Sequence, residues 1–261
     1  MSAPVFYEKV TLLITHYNRS ASLARLLKAF AELNCRFGEI IVSDDGSKPE
    51  HLDVIKSLQN SYTFTLLTVP KNKGLGNNNN KGHDAVKTPY TLYVQEDFVP
   101  KPVFPAHFSD ALAFMEEDES IDIARFYAYQ LFPYLTPYKK GFDLMRFKIW
   151  YPGHMKFFSY SDHPHLKRRN FLEKFGRYRE NCNSDVTEHS MCISFVKNKG
   201  KGIYYRDFTS LFDQMNSSDE PSTAAFRTQW QNKKTLPVLF LRQLYLQYKT
   251  AKLTKEYIAH K

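Results

Sequence analysis

Glu96 and Asp97 stand side by side at the end of the apolar run TLYV, just before Phe98 and a proline at position 100. A buried strand gains no stability from adjacent like charges, so the pair either faces solvent at the strand mouth or holds something positive. A second pair, Asp44 and Asp45, ends the run EIIVS and is followed by Gly46 and Ser47, a sequence that also reads as a turn. The turn THYNR, residues 15–19, follows VTLLIT and offers Thr15, Tyr17 and Arg19 as polar groups. Between residues 71 and 88 lies KNKGLGNNNNKGHDAVKT, where Gly74, Gly76 and Gly82 permit positive φ or close backbone approach to a ligand. Each cluster alone is a weak signal, but all fall at the borders of apolar runs.

Those runs predict the elements that position the clusters. Residues 10–15 read as a buried strand. Ser20 or Ser22 can cap a helix over 22–33, whose Leu23, Leu26, Leu27 and Phe30 recur at helical spacing. After Gly38 a second strand spans 39–47, a short helix follows near 51–60, and 64–70 is a third strand. The glycine- and asparagine-rich loop runs into a helix, and 91–100 is a fourth strand. This alternation predicts a parallel α/β sheet. Ligands of such sheets bind beyond the carboxyl ends of the strands, so the clusters should converge on one edge. Residues 126–175 are rich in aromatics, prolines and basic groups with little periodicity. A further helix is expected at about 186–198, with Met191, Cys192, Phe195 and Val196 as its apolar stripe and Gly200 as its stop. Residues 233–261 read as helical, with Pro237 near the first turn, and no internal repeat is present.

In this order the motifs resemble the family 2 glycosyltransferases of the bacterial polysaccharide and glycolipid type. The resemblance implies a GT-A fold, a Rossmann-like and mostly parallel sheet flanked by helices, and inverting transfer from a nucleotide sugar. It rests on THYNR, on VSDDGS, on Asn72, Gly74, Asn80 and Gly82 in the glycine loop, and on Gln95-Glu96-Asp97 in place of an Asp-x-Asp motif. By carry-over, Thr15, Tyr17, Arg19, Asp44, Asp45, Gly74, Asn80 and Glu96 bind a UDP-sugar. Either Asp44 or Asp45 would accept the imide N–H of uracil, Tyr17 would stack on the base, and Asp97 would ligate Mg²⁺ or Mn²⁺. Asn79 stands where the family often has arginine, with Lys73 or Lys81 as replacements. The family's catalytic base lies in a Glu-Asp pair about a dozen residues before a glycine. Counting back from Gly200 gives Glu188-His189, so Glu188, His189 and Asp185 are the base candidates. The stretch from Asp185 to Glu188 also reads as a helix-capping box. HPHLKRRNFLEKFG resembles the acceptor-side segment, where Lys167, Arg168 and Arg169 could meet phosphate. The implied domain layout is 1–100 for the nucleotide sugar, 101–232 for the acceptor and 233–261 for a basic helical tail.

Composition narrows the competing classes. The 261 residues carry a net charge of +9, with 17 Tyr and 21 Phe. The stretch 233–261 holds seven basic residues against the single acidic Glu256, which suggests an anionic partner. Leu236, Leu239, Phe240, Leu244 and Tyr248 could form the apolar face of a helix lying on an anionic membrane. Cys35, Cys182 and Cys192 cannot all pair and lack metal-ligand spacing, which fits a reducing compartment. His154, His163 and His165 lack zinc spacing. Neither a signal peptide nor a transmembrane run is visible, so the expectation is a cytoplasmic protein, at the inner face of the membrane. A nucleotidyltransferase would show a basic glycine-rich loop after the first strand, where THYNR has no glycine. A non-catalytic carbohydrate- or nucleotide-binding protein stays open because Gln95 and His189 replace carboxylates. No RNA-binding motif is present, so nucleic acid is not an expected partner.

Overall fold

The computed structural model describes residues 4–216, 220 and 236–259. Its first half alternates as the sequence predicts: β1 (Val5–His16), α1 (Ser20–Glu32), β2 (Cys35–Asp44), α2 (Pro49–Leu58), β3 (Thr65–Leu67), α3 (Leu75–Ala85) and β4 (Tyr90–Gln95). β2, β1 and β4 lie side by side in parallel register, with His16 opposite Asp44 and Thr15 opposite Gln95. VTLLIT is apolar throughout because both faces are covered. Leu12 and Ile14 point into the larger core with α1, while Leu13 packs with Ile41, Val86 and Tyr93 on the α3 side. Gly82 lets α3 lie close, since a Cβ there would sit 2.6 Å from the Leu13 side chain.

The expected fourth strand is two strands. β4 ends at Gln95, and β5 (Phe98–Pro100) leaves the main sheet to pair with β11 (Phe212–Gln214) in a separate ribbon. Glu96 and Asp97 are the corner between them. α4 (Phe104–Glu117) was not anticipated, although Phe104, Phe108, Ala111 and Met115 are buried at spacings of a helical stripe.

The aromatic second half completes the sheet with β6 (Ile123–Arg125), β7 (Leu135–Pro137), β8 (Phe142–Met145), β9 (His165–Arg168) and β10 (Gly202–Tyr205). The full order is β3-β2-β1-β4-β9-β6-β10-β8-β7. β8 and β9 alone run against the other strands of this sheet, so it is mostly parallel. β9 is inserted antiparallel between β4 and β6, with Tyr93 opposite His165. Its start therefore lies at the edge where β4 ends. α5 (Phe171–Phe175), α6 (Ser184–Lys197) and the end of α7 (Leu236–Ala259) cover this half, where Leu253 is buried and Tyr257 packs against the same cluster. The start of the expected tail, residues 233–235, lies outside the described residues, as do the side chains of Leu236 and Pro237.

Candidate functional site

The strand ends meet as the parallel register requires, and they are knitted by short polar bonds. Asn18 takes φ 52° at the turn after β1. Its N–H donates to the Ser47 hydroxyl (2.8 Å) and its side-chain oxygen accepts from the Lys48 N–H (2.8 Å). His16 Nε2 accepts the Arg19 N–H (3.1 Å), which fixes the tautomer: Nδ1 carries hydrogen and donates to Asp44 (2.8 Å).

Asp44 is saturated from within. Its carboxylate also accepts from Gly46 and Ser47 N–H and from the Ser47 and Thr68 hydroxyls. Burial alone would raise its pKa, but these donors hold it well below the usual carboxylate range. Asp44 thus organises the turn, which differs from the expected nucleotide contact. Asp45 accepts one backbone N–H on each oxygen, from Lys73 and Gly74 (2.9 Å each), and keeps a lone pair on each. Burial raises its pKa against those bonds and the nearby Lys81. Gly74, at φ 87°, hands its N–H to Asp45 and opens α3. Thr15 is buried with its hydroxyl on Tyr93 (3.0 Å), whereas Tyr17 is 38% exposed at the mouth.

The four asparagines at 77–80 lie in α3, so Asn77 and Asn80, one turn apart, share a face while Asn78 and Asn79 turn elsewhere. Asn77 and Asn80 clasp the Glu180 carboxylate (2.8 and 2.7 Å), and Asn80 also pairs with both backbone groups of Tyr178. Asn78 accepts from Ser43, and the buried Asn79 faces Tyr93. Asn80, expected at the nucleotide, ties α3 to the segment before α6. Lys81 donates to the Asp44 carbonyl, and burial lowers its pKa.

At the corner after β4, Arg19 answers the carboxylates. Its Nη1 lies 3.5 Å from Glu96 and 3.3 Å from Asp97. Its Nη2 donates to Asn216 (2.6 Å) and to the Glu220 carbonyl (3.2 Å). Burial raises Glu96 to about 7, opposed by His16 and reinforced by Asp97, with Arg19 pulling it down. Asp97 also accepts from Gln214 (2.9 Å), whose own oxygen accepts from Tyr129 (2.9 Å). Two carboxylate oxygens thus converge on one positive charge, the arrangement a hard divalent ion needs from protein. Among the described residues no group of three His, Cys, Asp or Glu forms a metal cluster. Any ion here would complete its shell with water and phosphate oxygens.

The second group of candidates sits on α6. Its N-cap is Asn183, whose side chain accepts from Val186 N–H (2.9 Å), so the expected capping box from Asp185 to Glu188 does not form. Glu188 instead accepts the Asp162 N–H (3.2 Å), three residues before β9 and at the same sheet edge as Asp97. Burial raises Glu188 to about 7, helped by the Asp162 charge and opposed by Asp162 N–H, Arg125 and Lys249. His189, one residue on, turns toward Phe158, and burial with Lys249 and Lys252 lowers it to about 4. Asp185 lies near the start of the same helix and is partly buried. The charges of both Asp97 and Glu188 raise the Tyr129 pKa, after burial, which has the larger effect.

Three residues expected to meet phosphate do not reach this edge. Lys167 is fully buried on Tyr178 (2.9 Å). Arg168 donates to the carbonyls of Ile121 and Asp118, and Arg169 to that of Lys87 (3.1 Å). The sequence reading missed Gln214, Tyr129, Glu220 and Asp162, all from stretches without periodicity.

The profile of glycosyl transferase family 2 matches residues 11–183. A cholesterol galactosyltransferase of Borreliella burgdorferi is 27% identical over 124 residues, 47% of this chain and 34% of that protein. The chain thus spans about a third of that relative's length. TarS 1–349 of S. aureus in complex with UDP-GlcNAc superposes with TM-score 0.57 at 14% identity, covering 82% of this chain and 61% of that one. The mannosyltransferase PcManGT of Pyrobaculum calidifontis, in complex with GDP-Man and Mn²⁺, gives 0.58 at 11% identity, covering 96% and 73%. At these identities the likeness speaks for the GT-A fold.

Proposed function

The chain belongs to glycosyl transferase family 2, and on that premise we propose that it is an inverting glycosyltransferase. It moves a sugar from a UDP-linked donor to a saccharide or lipid-linked saccharide acceptor. The observation that carries the reading is the placement at one sheet edge of the Arg19–Glu96–Asp97 cluster, bonded on to Gln214 and Tyr129, and of Glu188, held by Asp162 N–H just before β9. Tyr17 is open for stacking on the base, and the remaining lone pairs of Asp45 suit the uracil imide. Asp97, with Glu96, would hold Mg²⁺ or Mn²⁺. That ion, when bound, supplies positive charge against the leaving diphosphate. Glu188, raised to about 7, is matched to proton abstraction near neutrality. The acceptor oxygen attacks the anomeric carbon opposite the diphosphate and its proton passes to Glu188. The bond to the diphosphate oxygen breaks and the nucleotide leaves. His189 is neutral at this pH and faces Phe158, so it is the weaker base candidate.

The contact of Arg19 with both carboxylates favours a second reading, in which the guanidinium itself faces the diphosphate and no metal is needed. Calorimetric titration of UDP, with GDP as control, separates the two. Mn²⁺-dependent UDP binding lost in Asp97→Ala supports the metal reading. Equal binding with and without Mn²⁺ supports the arginine reading, and no nucleotide binding removes the donor site altogether. The lipid in the Borreliella relative's name and the basic α7 support an acceptor reached at a membrane surface.

A further inference from the structure

Beneath the base candidate lies a buried chain of polar groups that the transfer step does not use. Lys167 is fully buried on β9, and its ammonium is ringed by Tyr93, Phe171 and Tyr178 at 5.2, 5.3 and 5.2 Å. It donates to the Tyr178 hydroxyl at 2.9 Å. Tyr178 and Tyr160 share a hydroxyl–hydroxyl bond of 2.6 Å, and Tyr160 donates to Asp162 Oδ1 at 2.6 Å. Each hydroxyl has one hydrogen, so the direction is fixed: Lys167 to Tyr178, Tyr178 to Tyr160, Tyr160 to Asp162. Asp162 Oδ2 is buried with no hydrogen-bond partner among the described residues, and the Asp162 N–H holds Glu188. A lysine and an aspartate are thus joined through two tyrosines, and the same aspartate holds a second carboxylate through its backbone N–H. Burying such a chain with one carboxylate oxygen left unpaired costs stability, which a role at the site would account for.

We propose that Lys167, Tyr178, Tyr160 and Asp162 form a buried relay that positions Glu188 and, through the charge kept on Asp162, sets how readily Glu188 gives up its proton. They are positioning residues, and only the kinetic arm of the test rests on Glu188 being the base. Burial lifts Asp162 to about 6, against the Tyr160 bond and the Lys167 charge, while Glu188 stands at about 7. Burial lowers Lys167 to about 7, against the pull of Asp162. The other groups facing Glu188 are Arg125 from β6, Lys249 from α7, Cys192 on its own helix, and Tyr129. With Lys167 charged, Asp162 keeps its negative charge, and that charge holds the proton on Glu188 until the pH nears neutrality. Without the Lys167 charge, Asp162 is protonated more readily and Glu188 is freed at lower pH.

The test is carboxyl-carbon NMR of the full chain labelled with ¹³C-glutamate, with the Glu188 signal assigned from Glu188→Gln. Asp162→Asn removes the like charge and should move the Glu188 titration down by about one pH unit. Lys167→Met should move it the same way. Tyr160→Phe, which removes only the hydroxyl, should give a smaller shift and guards against misfolding of the other two. A Glu188 titration unmoved in folded Asp162→Asn and Tyr160→Phe overturns the relay. UDP-galactose hydrolysis is the kinetic probe. An acid limb that follows the resonance supports both relay and base. A limb that stays fixed while the resonance moves supports the relay and removes Glu188 as the base.

Discussion

Glu188 sits where an ionised carboxylate is costly, and the charge of Asp162 adds to that cost. Two outcomes follow, with opposite signs in pH. Catalysis needs the ionised form, so kcat/KM should rise as pH climbs through about 7 and level off above it. Glu188→Gln should lower kcat by about 10²–10⁴-fold while leaving the UDP affinity measured by calorimetry unchanged. Stability runs the other way. The group's folded value, about 7, lies above its ordinary 4.5, so the fold retains a proton that the unfolded chain releases. That contribution is complete below the ordinary value and is lost as pH rises through the folded one. Glu188→Gln should therefore unfold later than the wild type at pH 8, by on the order of 1 kcal/mol, and show no gain at pH 4. Urea titrations at the two pH values check this, and equal stability of both proteins at pH 8 would contradict it. Asp44 is the counter-example at the same scale. Five internal donors hold its carboxylate, so its presence in VSDDGS reflects the turn more than any ligand.

The start of α1 shows how an element of the site is completed from afar. Ser20 and Ser22 stand where a helix cap is expected, yet Ser20 bonds His51 (2.9 Å) and neither serine caps the helix. The Glu220 carboxylate does so instead, accepting Ala21 N–H, Ser22 N–H and the Ser22 hydroxyl at 2.9, 2.9 and 2.6 Å. Burial alone would raise Glu220, but these bonds bring it below its ordinary value. Glu220→Ala should cost about 1 kcal/mol, as loss of a helix cap does, measured by thermal unfolding at pH 7. It should also weaken UDP binding, because Arg19 loses the nearby Glu220 charge while keeping its bond to the backbone carbonyl. No change in either quantity would show that the contact does not matter in solution. The strand-end motifs were legible because a parallel sheet places successive turns at one edge. The roles of individual side chains were not, because some of the partners that decide them lie far along the chain, 24 residues away for Asp44–Thr68 and 201 for Arg19–Glu220. β9 was hidden for a related reason. A four-residue strand inserted against the direction of its neighbours carries no periodicity of its own, yet it brings Asp162, and Glu188 bonded to it, to the edge where β4 ends.

Across the whole molecule one sheet takes strands from both sides of residue 100, so the two stretches that the sequence separates form one body. α7 is the element least absorbed into that body. Its distal part packs through Leu253 and Tyr257, and Lys249 lies over Phe158 at 4.8 Å. Phe240, Leu241, Leu244, Tyr245 and Tyr248 are exposed on the opposite side, near Lys252 and Lys255. No described helix is long and apolar enough to cross a membrane. A helix with aromatic and aliphatic groups on its outer face and lysines beside them is suited to lie in an anionic lipid surface. The protein should therefore sediment with phosphatidylglycerol-containing vesicles and much less with pure phosphatidylcholine. Each lysine or arginine near the surface adds about 1 kcal/mol at low salt, so binding should weaken as salt rises. The double variant Phe240→Glu, Leu244→Glu should lose at least about tenfold in vesicle affinity, since it places charge where apolar groups insert. The same variant should keep its UDP affinity, because α7 packs through residues on its other side. Wild-type protein that ignores both vesicles but dimerises in sedimentation velocity would assign the exposed face to a second copy of the chain instead.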